Sequence, residues 1–170
     1  MDEYYTPYYA VDPLLKYIPQ SVETIWCPFD KEWSAFVQTF KSKRYKVIST
    51  HIDNGYDFFT YEPPIYDVII SNPPFSQKDK IFKRLRELHK PFALLMPFNT
   101  LQNKALHKYF KFDIQLLGFD ARIDFHDPDN MIKTKKGIPF PCAYFCKDFL
   151  PKDLILEHLE KYEKNINYII

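Results

Sequence analysis

The stretch Tyr66-Asp67-Val68-Ile69-Ile70-Ser71-Asn72-Pro73-Pro74-Phe75 decides the fold and indicates where a functional site lies. Its apolar, β-branched first half is typical of a strand buried inside a parallel sheet. The two prolines end that strand and stiffen the backbone beyond it. The sequence therefore predicts the amide of Asn72 at the carboxyl end of a central strand, with the ring of Phe75 close behind it. Open α/β sheets bind ligands at that edge.

Strands and helices are predicted to alternate on both sides of this stretch. The predicted strands cover 24–27, 46–52, 65–71, 92–96, 114–117 and 143–146, and the predicted helices cover 12–17, 32–42, 78–89, 103–110 and 151–162. This order predicts one α/β domain over residues 1–170, a single doubly wound, mostly parallel, Rossmann-like sheet with helices on both faces.

Three parts of the chain are predicted to flank this sheet. An N-terminal arm over 1–20 begins with an extended aromatic segment at 4–9, and a polar loop covers 120–138. A C-terminal helix and apolar tail cover 151–170. The tail is expected to dock on the sheet or on a second subunit, so a homodimer is one predicted assembly.

Composition limits the partners. Hydrophobic residues make up 46% and aromatic residues 18% of 170 residues, so rings are available for base stacking or for protein interfaces. The net charge of +1 gives no global attraction to nucleic acid, and a DNA-binding surface must come from local clusters. No apolar run is long enough to span a membrane. Three cysteines without a CxxC pair, and no leader sequence, predict a cytoplasmic protein with free thiols and no metal site.

The amide and the ring at the end of the third strand suit a planar amino group. The side-chain oxygen of Asn72 is one acceptor for such a group, the carbonyl of Pro73 is a second, and Phe75 is a stacking surface. Asn72-Pro73-Pro74-Phe75 resembles the motif of the S-adenosylmethionine-dependent amino methyltransferases that modify adenine N6, in particular the phage-type DNA enzymes. The simpler structural interpretation is a Pro-Pro turn that ends a strand and is followed by a buried ring.

This resemblance implies a methyltransferase sheet, S-adenosylmethionine as the cofactor and DNA as the partner, in a bacterial or phage-infected cytoplasm. It implies catalytic roles for Asn72, Pro73, Pro74 and Phe75, on an adenine flipped out of the duplex. Thr6 and Pro7 resemble the segment that packs over the methionine part of the cofactor. Asp57 and Phe58 resemble the segment that reaches its adenine amino group. An arm that merely covers the sheet edge is the alternative for Thr6 and Pro7.

Two further strand ends are candidates for cofactor binding. Asp53 ends the second strand, where an acidic residue commonly accepts from ribose hydroxyls, although an Asx turn explains it equally well. Pro28 and Asp30 follow the first strand, where the family has a glycine-rich turn. This turn contains no glycine, and Phe29 and Trp33 are expected to narrow or fill the cofactor cleft.

Residues beyond 120 are the candidates for substrate binding. Ala121 to Phe125 and Pro139 to Phe145 resemble the closing section of the phage-type enzymes, which implies that Arg122 and Phe140 lie near the target base. Lys133, Lys135 and Lys136 are predicted phosphate contacts, and a solvated charge run is the alternative.

Two other functions remain open from the sequence. One is a catalytically silent relative that binds nucleic acid or a protein partner. The other is a methyltransferase that acts on RNA or on a protein glutamine amide.

Overall fold

The computed structural model describes the backbone of residues 4–127, 130–134 and 140–167, and the side chains of residues 4–126 and 140–167. Its strands are β1 (Thr24–Cys27), β2 (Lys46–Ser49), β3 (Val68–Ser71), β4 (Phe92–Pro97), β5 (Gln115–Phe119), β6 (His126–Asp127), β7 (Asn130–Thr134), β8 (Cys142–Lys147) and β9 (Leu154–Glu157). Its α-helices are α1 (Tyr8–Val11), α2 (Ala35–Ser42), α3 (Lys78–Leu88) and α4 (Lys104–Phe110). Short 3-10 helices cover Asp12–Tyr17, Ile52–Asn54, Phe75–Gln77 and Phe98–Gln102.

Seven strands form one sheet in the order β2-β1-β3-β4-β8-β5-β9. Strand β8 runs antiparallel to its neighbours β4 and β5, and the other adjacent pairs are parallel. The predicted α/β architecture with a mostly parallel sheet is therefore confirmed. None of the helices in the described ranges has both the length and the apolar character that a bilayer crossing requires.

Alternating side chains of β3 show that helices cover both faces. Val68 and Ile70 belong to the same core cluster as Phe36 and Phe40 of α2. Ile69 belongs to the opposite cluster, which contains the apolar stripes of α3 and α4. All four residues of β3 are buried, so the strand is enclosed on both sides as its unbroken apolar run predicts.

The order of the strands places a crevice between β1 and β3. The chain passes from β1 outward to β2, and then returns to lay β3 against the other side of β1. The connections therefore diverge at the carboxyl ends of β1 and β3, which is the switch point where open α/β sheets bind ligands.

Tyr144 of β8 joins the sheet to the N-terminal part of the chain. The side chain is fully buried, and its hydroxyl donates to the carbonyl oxygen of Ala10 in α1 at 2.6 Å. We expect Tyr144→Phe to lower the free energy of unfolding by about 1–2 kcal/mol, because a buried carbonyl loses its donor. Urea denaturation measures the change. Tyr45→Phe is the control, because the Tyr45 hydroxyl has no hydrogen bond within the described residues; an equal loss in both variants would contradict the prediction.

The predicted C-terminal helix over 151–162 is wrong. Leu154–Glu157 forms the edge strand β9, which pairs in parallel with Leu116–Phe119 of β5, and residues 158–167 contain no helix. The apolar residues that look like a helical stripe serve strand pairing instead, since short apolar runs fit either period. Downstream, Ile166 is 3% exposed and lies in the core, so this part of the tail docks on the domain itself.

Two other parts of the chain differ from the predictions. The aromatic segment predicted to be extended over 4–9 becomes helical at Tyr8, directly after Pro7. The predicted loop over 120–138 contains the antiparallel hairpin of β6 and β7. Tyr5 pairs with His126 of this hairpin in an isolated bridge, which anchors the arm beside the sheet.

Candidate functional site

A cavity of about 270 Å³ lies at the carboxyl ends of β1, β2 and β3, at the switch point. Its aromatic lining residues are Tyr4, Tyr5, Phe29, Trp33, Phe36, Tyr56, Phe58, Phe59 and Phe75. Its polar lining residues are Thr6, Asp30, Lys31, Ser34, His51, Asp57, Asn72 and Gln77. The volume is slightly below the roughly 300–1,000 Å³ of typical small-molecule sites.

Most of the residues predicted for cofactor binding and catalysis meet at this cavity. The lining includes Asn72, Pro73, Pro74, Phe75, Thr6, Pro28, Asp30, Asp57 and Phe58. Pro7, Asp53, Arg122 and Phe140 lie outside the lining. Lys133 is in β7, but its side chain is not described, and Lys135 and Lys136 lie outside the described residues.

The amide of Asn72 has a fixed orientation. Its Nδ2 donates to the carbonyl oxygen of Tyr4 at 2.8 Å. Its Oδ1 is buried and has no hydrogen-bond partner among the described residues. Leaving a buried acceptor unpaired costs about 1–3 kcal/mol. The arm therefore holds an unsatisfied acceptor in a side chain that lines the cavity.

The ring of Phe75 is only half-buried, unlike the enclosed ring of the simpler structural interpretation. It lies in the 3-10 turn that follows Pro74. The ring of Phe140 packs edge-on against it at 5.9 Å between centroids and contacts Tyr4 at 6.0 Å. Phe140 therefore supports Phe75 from outside the cavity and leaves it available for stacking.

The glycine-free turn after β1 is held by Ser71, the last residue of β3. Its hydroxyl accepts from the Phe29 N–H at 3.2 Å and donates to Oδ2 of Asp30 at 2.5 Å. Ser34, the N-cap of α2, also hydrogen-bonds Asp30. Sequence reasoning missed both serines; the signal for Ser34 is its place three residues before Val37, whose N–H it accepts at 3.2 Å.

Burial makes Asp30 an unusual carboxyl group. The side chain is 7% exposed, and desolvation raises its pKa to about 7, against the opposing effect of the Ser71 and Ser34 hydrogen bonds. No described cation forms an ion pair with it. A buried carboxylate beside aromatic rings is the surrounding that favours a cationic ligand.

The arm contributes a second unsatisfied group. The Oγ1 of Thr6 is buried and has no partner within the described part of the chain. Pro7 is buried at the N-cap position of α1 and does not reach the cavity. The arm thus covers the sheet edge, which was the alternative prediction for Thr6 and Pro7. It also places Thr6 in the lining of the cavity.

Asp53 is directed to the rim. It is exposed and forms an ion pair with Lys31 at 2.9 Å, and the hydrogen bond from Lys31 is the main cause of its lowered pKa. The backbone N–H of Asp53 donates to Nδ1 of His51 at 3.1 Å, so the histidine caps this turn and lines the cavity. Asp53, the candidate for a ribose contact, therefore lies outside the lining, next to Lys31 and His51 that are part of it.

Asp57 and Phe58 also line the cavity. Oδ1 of Asp57 accepts from the N–H of Phe59 at 2.9 Å, which fixes the carboxylate. Phe58 is 3% exposed and contacts the ring of Phe29 at 4.8 Å. On the arm side, Trp33 packs edge-on against Tyr5 at 4.8 Å. Phe29 and Trp33, the two bulky residues of the glycine-free turn, thus both line the cavity.

Arg122 lies outside the cavity lining. It is exposed and lines an open groove together with Phe98 and Phe119. No cluster of three or more metal-ligating side chains occurs in the described ranges.

Comparison with known proteins does not assign the chain to a family. No protein-family model matches the chain, and the comparison with curated proteins also gave no match. The tetrapeptide and the arrangement of the cavity are therefore the features that bear on function.

Proposed function

We propose that the protein transfers a methyl group from S-adenosylmethionine to the exocyclic N6 of adenine in DNA, with release of S-adenosylhomocysteine and of one proton from N6. The observation that carries this proposal is the buried, unpartnered Oδ1 of Asn72, held at the switch point beside the half-exposed ring of Phe75. When bound, S-adenosylmethionine supplies the methyl group on an activated sulfonium.

Asn72 acts on the amino group of the target base. Its Oδ1 accepts one amino hydrogen, and the carbonyl of Pro73 is the candidate for the other. Accepting these hydrogens draws the nitrogen lone pair out of conjugation with the ring and strengthens it as a nucleophile. The hydrogen bond to Tyr4 orients the amide before the base arrives, which favours this contact.

Phe75 supplies a stacking surface for the base. An adenine inside a duplex cannot reach a cavity at the sheet edge, so the proposal includes flipping of the nucleotide. The edge of Phe140 supports Phe75 from behind, which fixes the plane on which the base lies. Fixed orientation of base and methyl donor is the main requirement of a direct transfer.

The cavity residues fit the charge of the cofactor. Asp30 offers a buried carboxylate without an ion-pair partner in the described chain, and the rings of Tyr5, Phe29 and Trp33 share the lining. This combination favours the positive groups of S-adenosylmethionine. The unpartnered Thr6 hydroxyl is the candidate donor for its carboxylate, and Asp57 with Phe58 forms the candidate adenine wall.

Calorimetric titration tests cofactor binding. We expect S-adenosylmethionine to bind in the micromolar range, about −8 kcal/mol. 5′-Methylthioadenosine is the matched ligand, because it keeps the adenosine but lacks both cationic groups. We expect it to bind roughly tenfold more weakly or worse, since it gains nothing from Asp30.

The competing function has an observation of its own. Bulky Phe29 and Trp33 line the cavity at the turn where the resembling enzymes have glycines. Less room for a cofactor at this turn suits a catalytically silent protein that binds nucleic acid or a protein partner. No heat with millimolar S-adenosylmethionine, with and without DNA, would reject the proposal and favour that alternative. Parallel incubations with DNA, RNA and a glutamine-containing peptide, followed by mass spectrometry, identify the methylated substrate.

A further inference from the structure

We propose that the groove beside the cavity binds the phosphodiester backbone next to the target adenosine, with the ring of Phe98 stacking on a neighbouring base. This inference rests on the proposed function only in taking the substrate to be a polynucleotide. The phosphate groove has a volume of about 290 Å³, and its lining includes Phe98, Phe119, Asp120, Arg122, Pro141 and Cys142.

Two cations at this groove lack an anionic partner. Arg122 is exposed and makes no hydrogen bond or ion pair with the described residues. Lys78 is half-buried, and its Nζ donates to the neutral Oδ1 of Asn99 at 2.9 Å, with no carboxylate in ion-pair contact in the described part of the chain. Arg122 is part of the groove lining, and Asn99, the partner of Lys78, directly follows Phe98 of that lining, so Lys78 lies beside the same groove.

The acidic side chains nearby have other partners. Asp120 lines the groove, but its Oδ2 contacts Nδ1 of His158 at 2.7 Å and its Oδ1 accepts from the N–H of Leu159 at 2.9 Å. Asp79, next to Lys78, accepts from Nδ2 of Asn103 at 2.8 Å. Neither carboxylate forms an ion pair with Lys78 or Arg122. Partial burial of an unpaired Lys78 is unfavourable, and desolvation lowers its pKa, so an anion in the groove would relieve a real electrostatic cost.

The groove adjoins the cavity through a short chain of contacts. The N–H of Phe98 donates to the carbonyl of Pro141 at 2.9 Å. Phe140, which precedes Pro141, packs against Phe75 of the cavity. The groove and the cavity are therefore neighbours, and we expect a strand whose adenine enters the cavity to continue along the groove. The ring of Phe98 is 40% exposed there, and a ring beside cations is the arrangement that binds single-stranded nucleic acid.

The salt dependence of DNA binding tests the two cations. Fluorescence anisotropy with a labelled adenine-containing oligonucleotide, without cofactor, gives the affinity between 50 and 200 mM salt. We expect the double variant Lys78→Gln/Arg122→Gln to bind about tenfold or more weakly at low salt, and to lower the log–log slope by about 1.4–1.8, because two phosphate contacts are lost. The control is Lys83→Gln/Arg86→Gln, which removes the same charge from exposed positions of α3.

A salt slope of Lys78→Gln/Arg122→Gln equal to that of the wild type would contradict phosphate binding by the groove. An equal change of slope in this variant and in the control variant would also contradict it. Phe98→Leu separates stacking from charge: we expect about fivefold or greater loss of affinity at an unchanged slope. Cofactor binding is read separately by calorimetry. If the slope changes as expected but the cofactor does not bind, the methyltransferase function is rejected and phosphate binding by the groove is supported. If the cofactor binds normally but the slope does not change, phosphate binding by the groove is rejected and the methyltransferase function is retained.

Discussion

Asn72→Ala is expected to lower the rate of N6-methyladenine formation by on the order of 10²–10³-fold, with S-adenosylmethionine affinity changed less than about threefold. The side chain removed holds the buried, unpartnered Oδ1 that we assign to the amino hydrogen of the target. Because this contact strengthens the nucleophile during the reaction, its loss affects the chemical step. Single-turnover methylation followed by mass spectrometry of digested DNA gives the rate, and calorimetry gives the affinity.

Asn72→Asp separates the two roles of the amide. It keeps an acceptor oxygen but loses the Nδ2 donor that holds the carbonyl of Tyr4. We therefore expect transfer by this variant to fall less than in Asn72→Ala, although both variants lose the same anchor of the arm. Wild-type rates in Asn72→Ala would remove the mechanism, and equal loss in both variants would assign the effect to the arm.

Asp30→Asn is expected to stabilise the fold above neutral pH. In the folded protein the pKa of Asp30 is raised to about 7 from 3.8, so the folded state holds this proton more tightly than the unfolded state. Stability therefore falls as pH rises from about 4 to about 7, and stays lower above that. The asparagine variant lacks this titration, and its advantage should grow by about 4 kcal/mol between pH 4 and pH 8. Urea unfolding at several pH values measures it.

The same substitution should weaken the cofactor. Removing the buried negative charge is expected to lower S-adenosylmethionine affinity on the order of 100-fold at pH 8, and to leave 5′-methylthioadenosine nearly unaffected. In the wild type, affinity for the cationic cofactor should decline below pH 7 as Asp30 takes up its proton. The control is Asp53→Asn, which removes an exposed carboxylate outside the cavity lining. A stability advantage that does not vary with pH, or equal losses for both ligands, would contradict this role.

The centre of the fold was predictable because its signals are local. The apolar run that ends in two prolines defines β3 and places Asn72 at its carboxyl end, and all four residues of the strand are buried as expected. The alternation of strands and helices then puts the ends of β1, β2 and β3 together at one edge of the sheet. For this reason nine of the predicted residues line the same cavity, without any long-range information from the sequence.

The remaining features depend on contacts between distant residues. Leu154–Glu157 forms a strand because β5 offers an open edge at the far side of the sheet, and no local pattern reveals that. Ser71 looks like an ordinary strand residue, yet it bridges Phe29 and Asp30 across 41 residues of sequence. The orientation of the Asn72 amide depends on a backbone carbonyl 68 residues away.

The two ends of the described chain meet at the cavity, since residues 4–6 and Ile166 are all part of its lining. During synthesis on the ribosome, β1 to β4 can pair long before residue 166 leaves the exit tunnel. The sheet therefore precedes the pocket in time, and a nascent chain offers its ring-lined crevice open to water. A ligand that binds only the folded state raises the free energy of unfolding of the complete domain. It does not stabilise the sheet while the sheet first assembles, because the pocket has not yet formed.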